Sequence, residues 1–500
     1  MSMNRFDQAV RAGIESIPAV AAHSGASELS VRDIYVVNGH EKALNPDAAL
    51  VVGDRGSGKS FWCAALSDPS ARQVISQQLP RLHLDRFQVV IGFAGERSVA
   101  SYPSAQILKS LLDAEHDAEV IWRTVILFQV LTVVDVEIPG NSWLERVKYV
   151  NENPEQEEQW LAQVNTKLQQ SRSGFLIVFD ALDRLGGNWP DIRNLTQGLL
   201  KVCLDMRSFS AIHIKLFMRP DMWADKSIWA FPDASKLQHN LVLLEWLKAD
   251  LYGLFWHWLA NRPGEDGKVF REKVKQLLGC DFQGIRIAST EDEYYPLPQL
   301  LKVEEPAQEQ LLNLLSTPFM GANKRRGKTY TWLPNHLSDA KGHVSPRSFL
   351  LAIKRALEVS EEKGHTQALH YDGIKAGVSK ASEIRIQELK EDYPWINEVL
   401  TPLQGLSVPA QPAELLSRWK AESVLSQLET LAKASSEEHQ YLPPYALEST
   451  QTPAQQLRAL VQTLVDIGVV REMPDGRVNI PDLFRVGAGI GRRGGVRPVR

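Results

Sequence analysis

Five short apolar runs, Leu50 to Val52, Phe87 to Ile91, Phe175 to Phe179, Ile212 to Met218 and Leu241 to Leu244, are separated by longer stretches with helical spacing of apolar residues. Buried strands alternating with helices predict a parallel α/β sheet between residues 30 and 245. The connection from Phe93 to Gly174 reads as mostly helical, and its acidic stretch, Asn151 to Gln159, is expected as a solvated face or loop. Within that connection Ile121 to Val134 is apolar but too short for a membrane span, and Arg123, Thr124 and Gln129 interrupt it, so a buried core helix is expected.

After the fifth run, Leu247, Leu251, Leu254, Phe255 and Trp258 recur at helical spacing and predict a core face. Helical character continues to Glu388, broken by a loop at Pro263 to Gly267 and a basic turn, Lys324-Arg325-Arg326-Gly327-Lys328. Tyr393-Pro394 and the loop Ser407 to Pro412 mark a boundary. Beyond it, Thr452 and Pro453 open a helix with Leu457, Leu460, Val461 and Leu464 on one face, and Gly468 ends it. Two strands, Val469 to Met473 and Arg477 to Ile480, follow around the turn Pro474-Asp475-Gly476. Helix plus hairpin is the pattern of a winged-helix unit, though other small domains share it.

This gives an expected order of a helical arm (1–29), an α/β core (30–245), a helical lid (246–390), a helical and winged-helix-like domain (391–484) and a basic tail (485–500). The arm is expected to pack on this chain or on a neighbouring subunit. The tail holds five arginines, five glycines and no acidic residue, and is expected outside any core.

Composition narrows the class. With 44% hydrophobic and 23% charged residues over 500 positions, the chain is globular and long enough for about two to four domains. A net charge of −4 speaks against wholesale nonspecific nucleic-acid binding and leaves room for a local basic patch. Cys63, Cys203 and Cys280 stand far apart, which indicates neither a disulfide framework nor a zinc site and suits a reducing cytoplasm. Arg5, Asp7, Arg11 and Glu15 interrupt the N-terminal segment, so no secretory signal is read there.

The chemistry centres on Gly53-Asp54-Arg55-Gly56-Ser57-Gly58-Lys59-Ser60, which follows the first strand and matches the phosphate-loop pattern G-x-x-x-x-G-K-[ST]. Gly53, Gly56 and Gly58 let backbone N–H groups approach phosphate oxygens, and Ser57 lies in the same cradle. Lys59 supplies charge for the β- and γ-phosphates, Ser60 a hydroxyl for Mg²⁺, and the helix that follows a positive N-terminal end. ATP and Mg²⁺ are the expected cofactors.

The run Phe175 to Phe179 ends in Asp180-Ala181-Leu182-Asp183-Arg184. Asp180 is the candidate Mg²⁺ partner. Asp183 is placed either to orient the attacking water or to cap the next helix. At the end of the fourth strand Arg219 either senses the γ-phosphate or pairs with Asp221 or Asp180. Ser345-Pro346 open a helix that leaves Arg347 in its first turn, where a cation needs an anion facing it; a phosphate partner and an ordinary surface arginine both fit.

Together these motifs resemble the AAA+ and STAND branch of P-loop ATPases, and Asp180-Ala181-Leu182-Asp183-Arg184 is similar to the second motif of the KAP group. The resemblance spans residues 30–360. It implies a five-stranded parallel ASCE-type P-loop core with a helical lid, ATP hydrolysis, Asp180 for Mg²⁺, Asp183 for hydrolysis, and Arg219 and Arg347 as first and second sensors. Ala181 and Arg184 stand where many AAA+ and STAND members respectively carry glutamate, which leaves the catalytic carboxylate open, and the membrane helices of many KAP proteins are missing.

Three functions follow as expectations. The leading one is an ATP-driven switch, homo-oligomeric or engaging a protein partner and not a membrane; related switches often act in anti-phage defence. Arg325 or Arg326 would then be an arginine finger for a neighbour or simply part of a solvated loop. The second is a DNA-dependent ATPase or loader that uses the winged helix and arginine tail. A small-molecule kinase is a weaker third reading, since no phosphoacceptor site is evident.

Overall fold

The computed structural model describes residues 4–18, 29–96, 98, 101–287, 293–434 and 452–492. Helix α1 (Arg5–Glu15) opens the described chain. The chain divides between Glu245 and Trp246 into two compact units, and α1 belongs with the C-terminal one.

The first unit is built on five parallel strands: β1 (Leu50–Val52), followed by helix α2 (Lys59–Ser67); β2 (Phe87–Phe93), followed after an intervening helix by α3 (Ala118–Val130); β3 (Gly174–Phe179), followed by α4 (Trp189–Met206); β4 (Ile212–Met218); and β5 (Leu241–Leu243). Their order is β2-β3-β4-β1-β5. All six residues of β3 are buried, which explains its uninterrupted apolar run: a parallel strand in the middle of a sheet is covered on both faces. In β4 the buried Lys215 donates to the carbonyls of Ala43, Asn45 and Ala48 at 2.8, 2.9 and 2.6 Å, three acceptors for the three ammonium protons. Register aligns Val52 with Met218 and Phe179 with Leu216, so β1, β3 and β4 open their carboxyl ends along one edge.

The apolar segment from Ile121 is a core helix, as its length predicts. Trp122 sits edge-on to Phe93 and Phe179, with ring centroids 6.3 and 5.6 Å away, and its Nε1–H donates to Leu195 O at 2.8 Å. Trp122→Phe deletes that donor while Leu195 O keeps its helical partner, an expected loss of about 0.5–1.5 kcal/mol in urea unfolding. The acidic stretch departs from expectation at Glu157, which is 6% exposed and accepts from Arg123 at 3.1 Å instead of facing solvent. Among the described residues no helix is long and apolar enough to cross a membrane.

The second unit starts with α5 (Lys248–Ala260) and α6 (Glu265–Leu278). Leu251 and Phe255 are buried as the spacing predicts, but Leu247 is 68% exposed because it is the cap of α5, its N–H bound to Asp250 Oδ2 at 3.0 Å. Helix α1 packs within its own chain: Phe6 stacks on Phe270 at 6.3 Å, and Trp258 Nε1–H donates to Gly13 O at 2.9 Å. Next come α7 (Pro346–Glu362) and α8 (Tyr371–Asp392). A Cβ on Gly373 would lie 2.2 Å from Ala356 O and one on Gly377 2.2 Å from Ala352 O, so glycines four apart let the two backbones touch.

The end of the chain folds as β6 (Ser407–Val408), α9 (Pro412–Ala421), α10 (Val424–Ala434), α11 (Pro453–Asp466), the antiparallel pair β7 (Arg471–Glu472) and β8 (Val478–Asn479), and β9 (Gly491–Arg492) beside β6. Thr452 caps α11 through a reciprocal bond pair with Gln455, and Gly476 turns the hairpin at φ 80°. The expected tail needs correction at its start. Arg485 is fully buried, its Nε–H donating to Asp482 Oδ1 at 2.6 Å, and Ile490 is buried beside it. Residues 493–500 lie outside the described chain.

Candidate functional site

The loop between β1 and α2 takes its shape from glycine. Gly56 and Gly58 adopt φ of 80° and 103°, which other residues rarely do. A Cβ on Gly53 would lie 2.4 Å from Ser57 Oγ and 3.1 Å from Leu244 Cβ, so a larger residue there would have to displace the Ser57 side chain. Gly53 N–H donates to Met218 O at 3.2 Å, which ties the loop to β4. Lys59 Nζ donates to the carbonyls of Gly53 and Asp54 at 2.7 and 3.0 Å, lying back along the loop it serves. Burial pushes the Lys59 ammonium below its ordinary range; Asp180 counters this and Arg219 adds to it.

Asp180 follows the last residue of β3, its N–H bound to Phe93 O at 2.9 Å. Ala181 then turns through φ 55°, a left-handed conformation that bends the chain into the short helical turn Leu182–Arg184. Burial raises the Asp180 carboxyl, while the Ser60 hydroxyl, Lys59 and the Ala181 N–H each pull it back towards the ionised form. The hydrogen-bonded Ser60 and Asp180 are hard oxygen donors beside a phosphate loop, a set that fits Mg²⁺.

Arg219, at the mouth of β4, joins two carboxylates. Its Nε and Nη2 grip Asp221 at 3.0 and 2.9 Å, and its Nη1 reaches Asp183 Oδ2 at 3.3 Å. Asp183 does not cap α4; Asn188 does, accepting from Asp191 N–H at 2.8 Å. Gly53 to Ser60, Asp180, Asp183 and Arg219 thus share the carboxyl edge of one sheet.

Arg347 belongs to the second unit. Ser345 caps α7 as the sequence predicts, and the anion answering Arg347 is Glu388 of α8, 2.8 Å from its Nη1. Arg385 holds the other oxygen of Glu388 at 3.2 Å. Arg325 and Arg326 lie in an exposed turn.

His40 carries no motif and escaped the sequence reading. It is 1% exposed, Trp62 Nε1–H of α2 donates to its Nδ1 at 3.2 Å, and its Nε2 meets Glu245 O at 2.9 Å. This links the helix after the phosphate loop to the chain beyond β5. Burial pushes the imidazole down to about 4, so the fold holds it neutral. Its contribution is complete above the unfolded value of 6.5 and is lost as pH falls from there through 4. His40→Gln is therefore expected to shrink the acid-side loss of unfolding free energy, measured by urea melts across that window, by about 2–3 kcal/mol.

Strand order, phosphate loop and the carboxylates after β3 define a five-stranded parallel P-loop α/β fold. No family model matches the chain, and no curated protein matches it. Among solved structures, the Aeropyrum pernix ORC1 protein in complex with DNA is 12% identical, with 92% of each chain covered and a TM-score of 0.33. The Aeropyrum pernix ORC2 protein, in ADPNP-ADP complexes, is 13% identical over 91% of this chain and 93% of that one, with a TM-score of 0.37. Cdc6p from Pyrobaculum aerophilum is 11% identical over 94% and 93%, with a TM-score of 0.29. At these values the likeness carries no ligand, partner or activity over to this chain.

Proposed function

We propose that the chain binds ATP with Mg²⁺ on the β1–α2 loop, hydrolyses it, and uses nucleotide state to control engagement of a protein partner or a second copy of itself. The observation that carries this is the sheet register, which sets the phosphate loop, Asp180, Asp183 and Arg219 along one edge. Loop N–H groups and Lys59 take the phosphate oxygens; Lys59 exchanges its two backbone carbonyls for them. Ser60 and Asp180 would hold Mg²⁺, which would supply neutralisation of the charge that develops on the phosphates. Asp183, partly exposed, orients the attacking water and accepts its proton. Arg219, anchored by Asp221, keeps one guanidinium nitrogen for the γ-phosphate in exchange for Asp183. Arg347 is the lid's sensor in this reading and would trade Glu388 for phosphate. No residue of the site speaks for the defence role that the resemblance implies.

A second reading, DNA-dependent turnover, is favoured by the winged-helix-like arrangement of α9 to β8, in which Ala410 bridges Val478. Against it, Arg477 of the wing is engaged by Asp475 at 2.7 Å.

The test is phosphate release from ATP by the purified chain with and without Mg²⁺, alone and with duplex DNA at low and moderate salt. Mg²⁺-dependent release indifferent to DNA supports the protein-coupled switch; stimulation by DNA that fades with salt selects the second reading. Neither ATP binding nor release under any condition overturns both.

A further inference from the structure

The loop joining α7 to α8 gathers three metal-ligating side chains that the nucleotide chemistry does not use. His365, His370 and Asp372 offer donor atoms that all lie within 4.8 Å of one another. The two imidazoles stack with centroids 3.5 Å apart and an interplanar angle of 17°. Asp372 Oδ2 lies 3.9 Å from His365 Nε2 and 3.6 Å from His370 Nδ1.

The ring orientations come from their own stack and from Asp372 N–H, while backbone hydrogen bonds fix the main chain at both histidines. Ser360 fixes both: its carbonyl accepts from His365 N–H at 2.9 Å and its Oγ from His370 N–H at 3.0 Å. Arg11 Nη2–H donates to Thr366 O at 3.0 Å, and Leu369 N–H to Leu315 O at 2.9 Å, clamping the loop from both sides. The loop that carries the donors is thus anchored, and only side-chain torsions separate them from a ligating arrangement.

One atom calls for a ligand. His365 Nε2 is shut off from solvent and has no hydrogen-bond partner, an unfavourable state for a buried polar nitrogen that a metal ion relieves. His370 Nδ1 accepts Asp372 N–H at 3.2 Å, a long capping bond that ligation can replace.

We propose that His365, His370 and Asp372 bind Zn²⁺ at the tip of the α7–α8 hairpin. Two imidazole nitrogens and one carboxylate oxygen are a zinc set with a fourth position left for water. Bond lengths of about 2.0–2.2 Å put tetrahedral donors roughly 3.3 Å apart, so binding requires the two imidazoles to turn out of their stack and the donors, now up to 4.8 Å apart, to close through side-chain torsions. Mg²⁺ demands six hard oxygens in octahedral array, which this set does not supply. The ion would tie the loop to the first turn of α8, stiffening the hairpin whose two helices carry Arg347 and Glu388.

The experiment is equilibrium dialysis of the full chain against micromolar Zn²⁺ with excess Mg²⁺ and no nucleotide, followed by metal analysis. One equivalent is expected in the wild type, with affinity reduced roughly tenfold or more in His365→Ala, His370→Ala and Asp372→Asn, and unchanged in His239→Ala. Asp372→Asn, at a half-exposed position, keeps the test decisive should a histidine variant fail to fold, which melting without zinc reports. Co²⁺ should take the same site and show the intense visible absorption of four-coordinate geometry. No zinc uptake by the wild type, or uptake unaltered in Asp372→Asn and in those variants that fold, overturns the assignment.

Discussion

Asp183→Asn is expected to lower the turnover of ATP about 10²–10⁴-fold while leaving ATP binding close to wild type, because amide oxygen can still accept from Arg219 but cannot take a proton from water. Lys59→Ala is expected to lose binding as well, since it removes the charge that faces the phosphates. Single-turnover phosphate release alongside binding of labelled ATP separates the two outcomes. Asp221→Asn serves as the comparison: it loosens the anchor of Arg219 without touching the proton acceptor, and its expected effect is smaller. Turnover in Asp183→Asn within tenfold of wild type would falsify the role of Asp183 and pass it to another carboxylate, a question that Ala181 and Arg184 already raise.

The second large effect lies far from the nucleotide. Arg485→Ala is expected to destabilise the second unit by about 3–5 kcal/mol, because Asp482 stays buried with its closest partner gone. Arg485 donates to Asp482 at 2.6 Å and to Ile490 O at 3.3 Å; Arg492 and His336 approach the same carboxylate at 3.2 and 3.6 Å. Urea unfolding followed by the C-terminal fluorescence of Trp419, itself buried, reads the change. Pairing Arg485→Met with Asp482→Asn should cost less than Arg485→Ala alone, since the orphaned charge goes too. A loss under about 1 kcal/mol in Arg485→Ala would mean that the arginine is not structural.

The contrast between these two places explains what a sequence can disclose. Strand β3 was legible because burial on both faces demands an unbroken apolar run, and the hairpin because Pro474-Asp475-Gly476 is turn chemistry. The phosphate loop announces itself because backbone approach to an anion restricts it to glycine. Arg485 carries no comparable mark: glycine and arginine look the same in a row whether solvated or folded inward, and the residues that hold its turn in place include Ser382, bound to Asp482 O and Gly487 N–H, and His336, beside Asp482, both distant in the chain. Glu157 misled for the same reason, its counter-charge Arg123 lying 34 positions away. Leu247 matched the helical period but occupies the cap, where the first turn has not yet faced the core. The partner of Arg347 could be foreseen as an anion and not as Glu388, because dipole arguments give a charge and no address. His40 had no signal, since a lone imidazole earns its place through Trp62 and Glu245 and both contacts are tertiary.

The interleaved strand order also dictates when the protein can begin to work. Strand β1 and its loop leave the ribosome early, yet β1 has no sheet neighbours other than β4 and β5, with Val52 registered against Met218 and Leu243. Until those late strands emerge, the phosphate loop has neither the backbone anchor at Met218 nor the arginine beside it. A growing chain should therefore stay blind to nucleotide through most of the synthesis of its first unit and acquire the site in a single late step. Ribosome-bound chains with residues to 205 exposed should ignore an ATP affinity matrix, and those with residues to 250 exposed should be retained.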